Sequence, residues 1–535
     1  MSNLRLITLT VLSLAIGVAL PRLARSGNPF DIEVIVEDGH EFHKPLRDVE
    51  PPNKQTNPPR VMPLGRPHPG AGSIEAADTV VQKTPLAAAP TTAGLGFDGV
   101  GRGFTGPQGS FTVDAAPPDT NGAVGTTQYV QWVNESFAVF DKATGAVLKG
   151  PLPGNTLWSG IGNGCATNND GDPIVQFDKI NQRWIFAQFS VSTTPYRQCV
   201  AVSTSDDALG TYNAYSFQMS QFPDYPKLGV WSDAYYITFN MFNGNSFAGP
   251  KVCAMDGAAM RAGSAATVVC FQLGTNVASL LPSDVDGTIP PPVGAPNFLL
   301  SLSGSSGLNF WKFHVDFNTP LNSTLTGPAV ISVAPFTRAC GGGSCIPQQG
   351  TKAKLDSLGD RLMYRLAYRN FGDHEALLVN HSVAAGTSSS GQSGVRWYEL
   401  RNATGQTMAS ATPVRFQQGT YAPSDNRYRW MGSLAMDKVG NIAVGYSISG
   451  NNLFPGIRWA GRQPTDPAGQ LGSEVTIVNG GGAQTAPLDR WGDYSAMTID
   501  PIDDCTFWYT NEYLKTSGKW NWSTRIASFK FQSCN

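Results

Sequence analysis

Hydrophobic positions along most of the chain alternate with polar ones in short runs, and the runs are bounded by Gly, Asn, Asp and Pro. Tyr129-Val130-Gln131-Trp132-Val133 and Phe137-Ala138-Val139-Phe140 are examples, and Asp141-Lys142-Ala143-Thr144-Gly145 follows as a hairpin turn. A period of two with punctuating turns predicts half-buried β-strands. Amphipathic helices of a dozen residues do not stand out. The best helical rival is 355–366, where Leu355, Leu358, Leu362, Met363 and Leu366 are apolar.

The strands fall into a weak repeat. A polar residue, often Asp, opens a strand; a second Asp closes it; an aromatic-rich strand follows. Asp172 opens DPIVQFD before RWIFAQF, Asp224 opens DYPKLGVWSD before AYYITFN, and Asp493 opens DYSAMTID before CTFWYTNEY. Trp430 opens WMGSLAMD before NIAVGYSI, and Asp119 and Asp356 begin similar stretches. A poorer seventh unit starts near Asn297. Starts at 119, 172, 224, 297, 356, 430 and 493 leave room for a four-stranded sheet each. Such a sheet exposes two faces, and packing copies radially covers both. The expected fold is therefore all-β, a β-propeller of seven blades of four-stranded antiparallel sheets spanning 96–535.

The N-terminal part differs in texture. Residues 6–20 carry no charge, follow Arg5, and precede Ala24-Arg25-Ser26, the layout of a secretory signal peptide over 1–26. The run is short for a membrane span, so none is expected after cleavage. Residues 27–95 are rich in Pro, Ala and charge and poor in aromatics, which reads as a disordered leader or linker.

Composition supports the β reading. Of 535 residues, 58 are Gly and 38 Pro, charged residues are only 15%, and aromatics are 10%. That mix argues against coiled coils and helical bundles. A formal net charge of −2 gives no reason to expect nucleic acid. The eight cysteines are Cys165, Cys199, Cys253, Cys270, Cys340, Cys345, Cys505 and Cys534. An even number in an exported chain implies disulfides. Sequential pairing is favoured because each bridge would staple one local unit, although on the order of 100 connectivities are open. The expected location is secreted or cell surface, the periplasm being the other compartment that suits it.

The stretches PPDTNGAVG, RWIFAQF, DYPKLGVWSDAYYITFN, RWMGSLAMDKVGNIAVGYS and RWGDYSAMTIDPIDDCTFWYTNEY resemble a group of secreted bacterial β-propeller proteins of unassigned function. More distantly, GDPIVQFD followed by RW, and STSDDALGTY at 203–212, are similar to pieces of sialidase-like and other glycan-active propellers. The resemblance implies acidic residues of inner strands at the mouth of a central channel. The sialidase Asp box is only approximated: Ser205, Asp207 and Gly210 are present, one spacing is too long, and Tyr212 stands where Trp is expected. That box is a structural turn in any case.

If the repeats are blades, the strand-opening acids meet near one axis. Close carboxylates repel, so some hold protons or a cation, and a pair suits acid–base or nucleophilic cleavage of a glycoside. Asp172, Asp224 and Asp493 are the expected catalytic residues. Arg forks grip carboxylates and aromatic faces stack on sugar rings. Asp119, Asp356, Arg429, Trp430, Arg490 and Tyr494 are accordingly the expected ligand-binding residues. The bland reading is that each Asp caps its own turn and each Arg-Trp pair packs between sheets.

Asn168, Asp170 and Asp172 alternate oxygen ligands as calcium loops do, and Ser283-Asp284-Val285-Asp286-Gly287 looks similar. Calcium is the one cofactor expected; no organic cofactor is. GxSxG and P-loop motifs are absent. Two function classes remain. One is a monomeric secreted propeller that binds, and in its stronger form hydrolyses, a polysaccharide or cell-surface glycan. The other is a non-catalytic surface, adhesion or protein-interaction module.

Overall fold

The computed structural model describes residues 30–50, 59–62, 64–65, 67, 77–386 and 388–535. The proposed signal peptide lies outside them. The chain is all-β, and the described strands form a nine-stranded sheet, a ten-stranded sheet, three four-stranded sheets and three two-stranded ones. Runs of consecutive antiparallel strands within them are numbered as units. Unit 1 begins with Asn121–Val124, unit 2 with Ile174–Asp178, unit 3 with Phe222–Val230 and unit 4 with Leu281–Asp286. Unit 5 begins with Met363–Asn370, unit 6 with Tyr428–Met436 and unit 7 with Ala496–Ile499. Each first strand packs against the first strand of the next unit, and that of unit 7 returns to unit 1. The arrangement is propeller-like.

Apolar side chains fill the layers between neighbouring units. Trp132, Phe137, Trp184 and Phe186 fill the layer between units 1 and 2. Ile185, Tyr215, Ile237 and Met255 fill the next. Val130 and Phe140 of unit 1 belong to separate clusters on opposite faces of their sheet. Both faces are thus covered, as the near-continuous apolar runs of these strands require.

The four disulfides pair sequentially: Cys165–Cys199, Cys253–Cys270, Cys340–Cys345 and Cys505–Cys534. Cys253 and Cys270 face each other across adjacent strands of unit 3. No helix among the described residues is long and apolar enough to cross a membrane.

Two expectations are corrected. The 27–95 segment contributes regular structure where it is described. Ile32–His43 lies between the outer strands of units 2 and 3, pairing Ile32–Val36 with one and Glu37–His43 with the other across a register shift. Thr91–Asp98 is the fourth strand of unit 7, antiparallel to Trp522–Phe531. Open sheet edges capture short segments that look unpromising in isolation. Second, the fourth unit starts at Leu281 rather than Asn297, and the calcium-like Ser283–Asp286 is its inner strand, with Asp284 and Asp286 bound to Arg365. The stretch 355–366, where a helix is the rival to the β reading, is extended, in strands Leu355–Asp356 and Met363–Asn370.

One backbone feature recurs in every unit. Asp119, Asp172, Tyr225, Ser279, Leu358, Met431 and Asp493 have φ between 41° and 57°. Each stands where an innermost strand starts, before it or at a bulge in it. Non-Gly residues in this region are costly unless their surroundings hold them, and Asp adopts it more readily than most. The left-handed turn brings the chain in at one end of the ring, seven times.

Candidate functional site

Three of the seven left-handed residues are Asp, and they fall in consecutive units: Asp493, Asp119 and Asp172 in units 7, 1 and 2. Asp224 of unit 3 precedes the fourth, Tyr225. All four carboxylates are buried, none more than 4% exposed. They influence one another electrostatically, so sequence positions hundreds of residues apart meet at one end of the ring.

Burial pushes Asp119 far above the usual carboxylate range, and the charges of Asp493 and Asp172 push it further. Its Oδ2 accepts a hydrogen bond from Asn134 Nδ2 at 2.8 Å. Burial also raises Asp172, beside Asp119 and against the pull of Lys227. Asn134 ties the pair together, since its Oδ1 accepts from the Asp172 backbone N–H at 3.0 Å. Asp224 is raised to about 8, by burial first and by Asp172 second, and is protonated at neutral pH. Asp493 pairs with Arg490, whose Nη1 donates to the Met62 carbonyl at 2.6 Å.

Lys227 is the cation among these acids. It is fully buried, and its Nζ lies 3.5 Å from the centre of the Tyr225 ring and 3.9 Å from that of Tyr494. Burial lowers it to about 8, against the attraction of Asp172, Asp119, Asp493 and Asp224. The Tyr494 hydroxyl donates to the Pro173 carbonyl at 3.0 Å. Arg361 of unit 5 covers the outer face of Tyr225, 4.6 Å from its ring centre, and its Nε donates to Asp360 at 2.9 Å. Several buried polar atoms here have no hydrogen-bond partner among the described residues: Asp119 Oδ1, Asp493 Oδ1, Tyr225 OH, Arg361 Nη1 and Arg490 Nε. Buried polar atoms are normally paired, and unpaired ones also occur elsewhere among the described residues.

Asp172, Asp224, Asp493, Asp119, Arg490 and Tyr494 are therefore brought together. Asp356 lies near enough to Arg490 to raise it, while its Oδ1 accepts from the Leu358 backbone N–H at 3.1 Å. Arg429 and Trp430 are not part of the cluster as ligand contacts. Arg429 is clamped between Asp425, at 2.7 Å, and Glu474, at 2.9 Å. Trp430 is wholly buried against Trp491, Leu358 and Met431, and offers no face to a sugar.

Asn168, Asp170 and Asp172 do not fit a calcium site. Asp170 is occupied by the backbone N–H groups of Val191 and Ser192 and by the Ser192 hydroxyl. The Asn168 amide donates to Ser190 and Thr193, and Asp172 faces Asp119. No group of three His, Cys, Asp or Glu side chains is placed to hold a metal among the described residues. Asp207 of the approximate Asp box holds its own turn, accepting from the Leu209 N–H at 2.9 Å.

Lys227, Tyr225 and Arg361 are the residues that sequence reading passed over. The repeated Asp-Tyr at 224–225 and 493–494 was the available signal for Tyr225. For Lys227 the signal was a lysine three residues after Asp224 within the same short strand, Phe222–Val230.

Fold and site together define an all-β, propeller-like protein with a buried cluster of acids around one lysine. No family model matches the chain, and no curated protein does. Among solved structures it aligns with an endo-arabinase from Bacteroides thetaiotaomicron at 14% identity, over 57% of this chain and 93% of that one, with a TM-score of 0.26. An α-L-arabinofuranosidase from Podospora anserina gives 12% identity, 58% and 91% coverage, and 0.25. An ulvan lyase gives 10% identity, 81% of each chain, and 0.27. Matches of this strength carry nothing about the residues or chemistry of the site.

Proposed function

We propose that this chain is an exported seven-bladed propeller whose carboxylate cluster binds a polysaccharide and cleaves it by acid–base chemistry. The observation that carries the reading is the meeting of buried carboxylates from different units around one lysine, with Asp224 raised to about 8. Asp224, held protonated up to about pH 8, is suited to give a proton to a leaving oxygen. Asp172, next to the buried Lys227 that favours its charged form, is suited to act as base or nucleophile. Asp493 and Arg490 orient the ligand, and Lys227 balances charge as protons move. The disulfides support an oxidising, extracellular compartment.

A second reading is favoured by the burial of the same acids. A cluster closed to solvent is also what a purely structural network looks like, and the chain would then be a non-catalytic binding module that uses its rims. Reducing-end release from a panel of neutral and acidic polysaccharides separates the two, assayed with residues 59–67 in place and after their release. Asp172→Asn and Asp493→Asn each lower the rate by about 100-fold or more if these groups act in the reaction. Unchanged rates remove them from the chemistry. Absence of turnover in both forms favours the binding module.

A further inference from the structure

The cluster is not bounded by the seven units alone. A piece of the N-terminal segment crosses it. Arg60–Val61 runs parallel to Ala115–Ala116, and the Arg60 and Met62 N–H groups each donate at 2.8 Å, to Asp114 and Ala116. The Arg60 side chain anchors this end, its Nε donating to Glu135 at 2.8 Å and its Nη2 to the Asn169 carbonyl at 2.9 Å. Beyond it the backbone meets the site residues themselves. The Met62 carbonyl accepts from Arg490 at 2.6 Å, and the Gly65 N–H donates to Asp224 Oδ2 at 2.9 Å. The Gly65 carbonyl lies 3.4 Å from Arg361 Nη2. Leu64 packs against Leu358, Trp430, Met431 and Trp491 of the far side.

The fit is close. A Cβ on Gly65 would lie 2.3 Å from the Phe242 ring, and one on Gly171 would lie 2.6 Å from the Met62 methyl. Arg490, Asp224 and Arg361 thus hold the segment by its backbone, as a site holds an extended ligand. The segment uses one N–H of each guanidinium, and Arg490 Nε and Arg361 Nη1 are left without partners.

We infer that residues 60–62 and 64–65 are an intrachain occupant of the candidate site, and that an acidic polysaccharide reaches Asp172, Asp224 and Asp493 only when these residues are displaced. The inference rests on the reading of the cluster as a ligand site. It adds the class of ligand: an extended, hydroxyl-rich chain with carboxylates for Arg361 and Arg490, whose spare donors match a bidentate acceptor.

The test keeps the covering segment and the ligand separate. Recognition sequences for a specific protease are placed within 52–57 and within 69–75 of the full-length chain, which is folded before it is cut. Loss of the fragment is confirmed by mass. Carbodiimide coupling of an amine to Asp119, Asp172, Asp224 and Asp493 is then read by peptide mass spectrometry, with near-ultraviolet circular dichroism as the check on folding. The expected result is at least a tenfold rise in labelling on cutting, reversed by a synthetic peptide of residues 59–67. Leu64→Asp in the uncut chain gives the same rise without any cleavage. Equal labelling of intact and cut protein overturns the inference, as do protected carboxylates in a folded, fragment-free protein or an unmoved Leu64→Asp. Binding of a polyuronate and of its methyl ester is measured on the opened form. Preference for the polyuronate supports the ligand class. An opened site that labels fully but binds neither overturns the glycan reading and leaves the intrachain cover standing.

Discussion

Asp224→Asn should make the protein more stable, by an amount that depends on pH in a calculable way. The side chain has an ordinary value of 3.8 and is pushed up to about 8 in the folded protein. Below about pH 4 both folded and unfolded states hold the proton, and the group has no effect on stability. Between the two values the folded state keeps a proton that the unfolded state has released. Stability therefore falls as pH rises, by about 1.4 kcal/mol per unit, until the folded value is reached. The cost is about 2 kcal/mol at pH 5 and about 4 kcal/mol at pH 7. Asn is neutral throughout, its oxygen still accepts from the Gly65 N–H, and its amide stands where the carboxyl proton was. Urea unfolding of wild type and variant, with disulfides intact, gives the comparison. The account expects a gain of about 4 kcal/mol at pH 7 that shrinks by about half or more at pH 5. A gain that does not change with pH, or a loss at pH 7, refutes the reasoning that Asp224 is held protonated by its neighbours.

Two further outcomes follow from the same structure. Arg429→Met removes the shared partner of Asp425 and Glu474, both partly exposed, and should cost about 2–3 kcal/mol in denaturant unfolding while leaving ligand affinity of the folded protein unchanged; an affinity loss would return Arg429 to the site. Replacing Cys253 and Cys270 together by Ser opens a loop of 17 residues and should lower stability by about 3 kcal/mol; calorimetry that finds no change would mean that strand pairing alone fixes this edge.

Much of the fold was written in short apolar and aromatic runs between turn residues; the strands proved buried on both faces rather than half-buried, because neighbouring units cover each sheet on two sides. The unit that escaped has Asp284 and Asp286 inside its inner strand. They read as a loop because the arginine that neutralises them, Arg365, lies about 80 residues away in sequence. The segment over 27–95 escaped for a related reason. Its strands have little core of their own and are ordered by the edges they pair with, so nothing local announces them.

The site divides along similar lines. The strand-opening acids were legible because each marks a left-handed turn that Asp tolerates. The two Arg-Trp pairs looked equivalent and are not. Arg429 stands two residues before the left-handed Met431, whereas Gly492 inserts one residue and puts Arg490 three before Asp493. A slip of one residue sends an extended side chain to the other face, so Arg490 reaches the acids and Arg429 the outer layer. Asn168 and Asp170 carried ligand-like spacing, but spacing does not reveal that the Asp170 carboxylate is already taken by two backbone N–H groups and that the Asn168 amide donates to Ser190 and Thr193.

The central claim is that carboxylates from different units share one electrostatic environment. A double-mutant cycle between Asp172→Asn and Asp493→Asn tests it, with unfolding free energies measured at pH 7. If the two groups repel across the ring end, either substitution relieves the other, and the effects depart from additivity by about 1–3 kcal/mol. Additivity within about 0.5 kcal/mol would place Asp172 and Asp493 in separate surroundings and contradict the account.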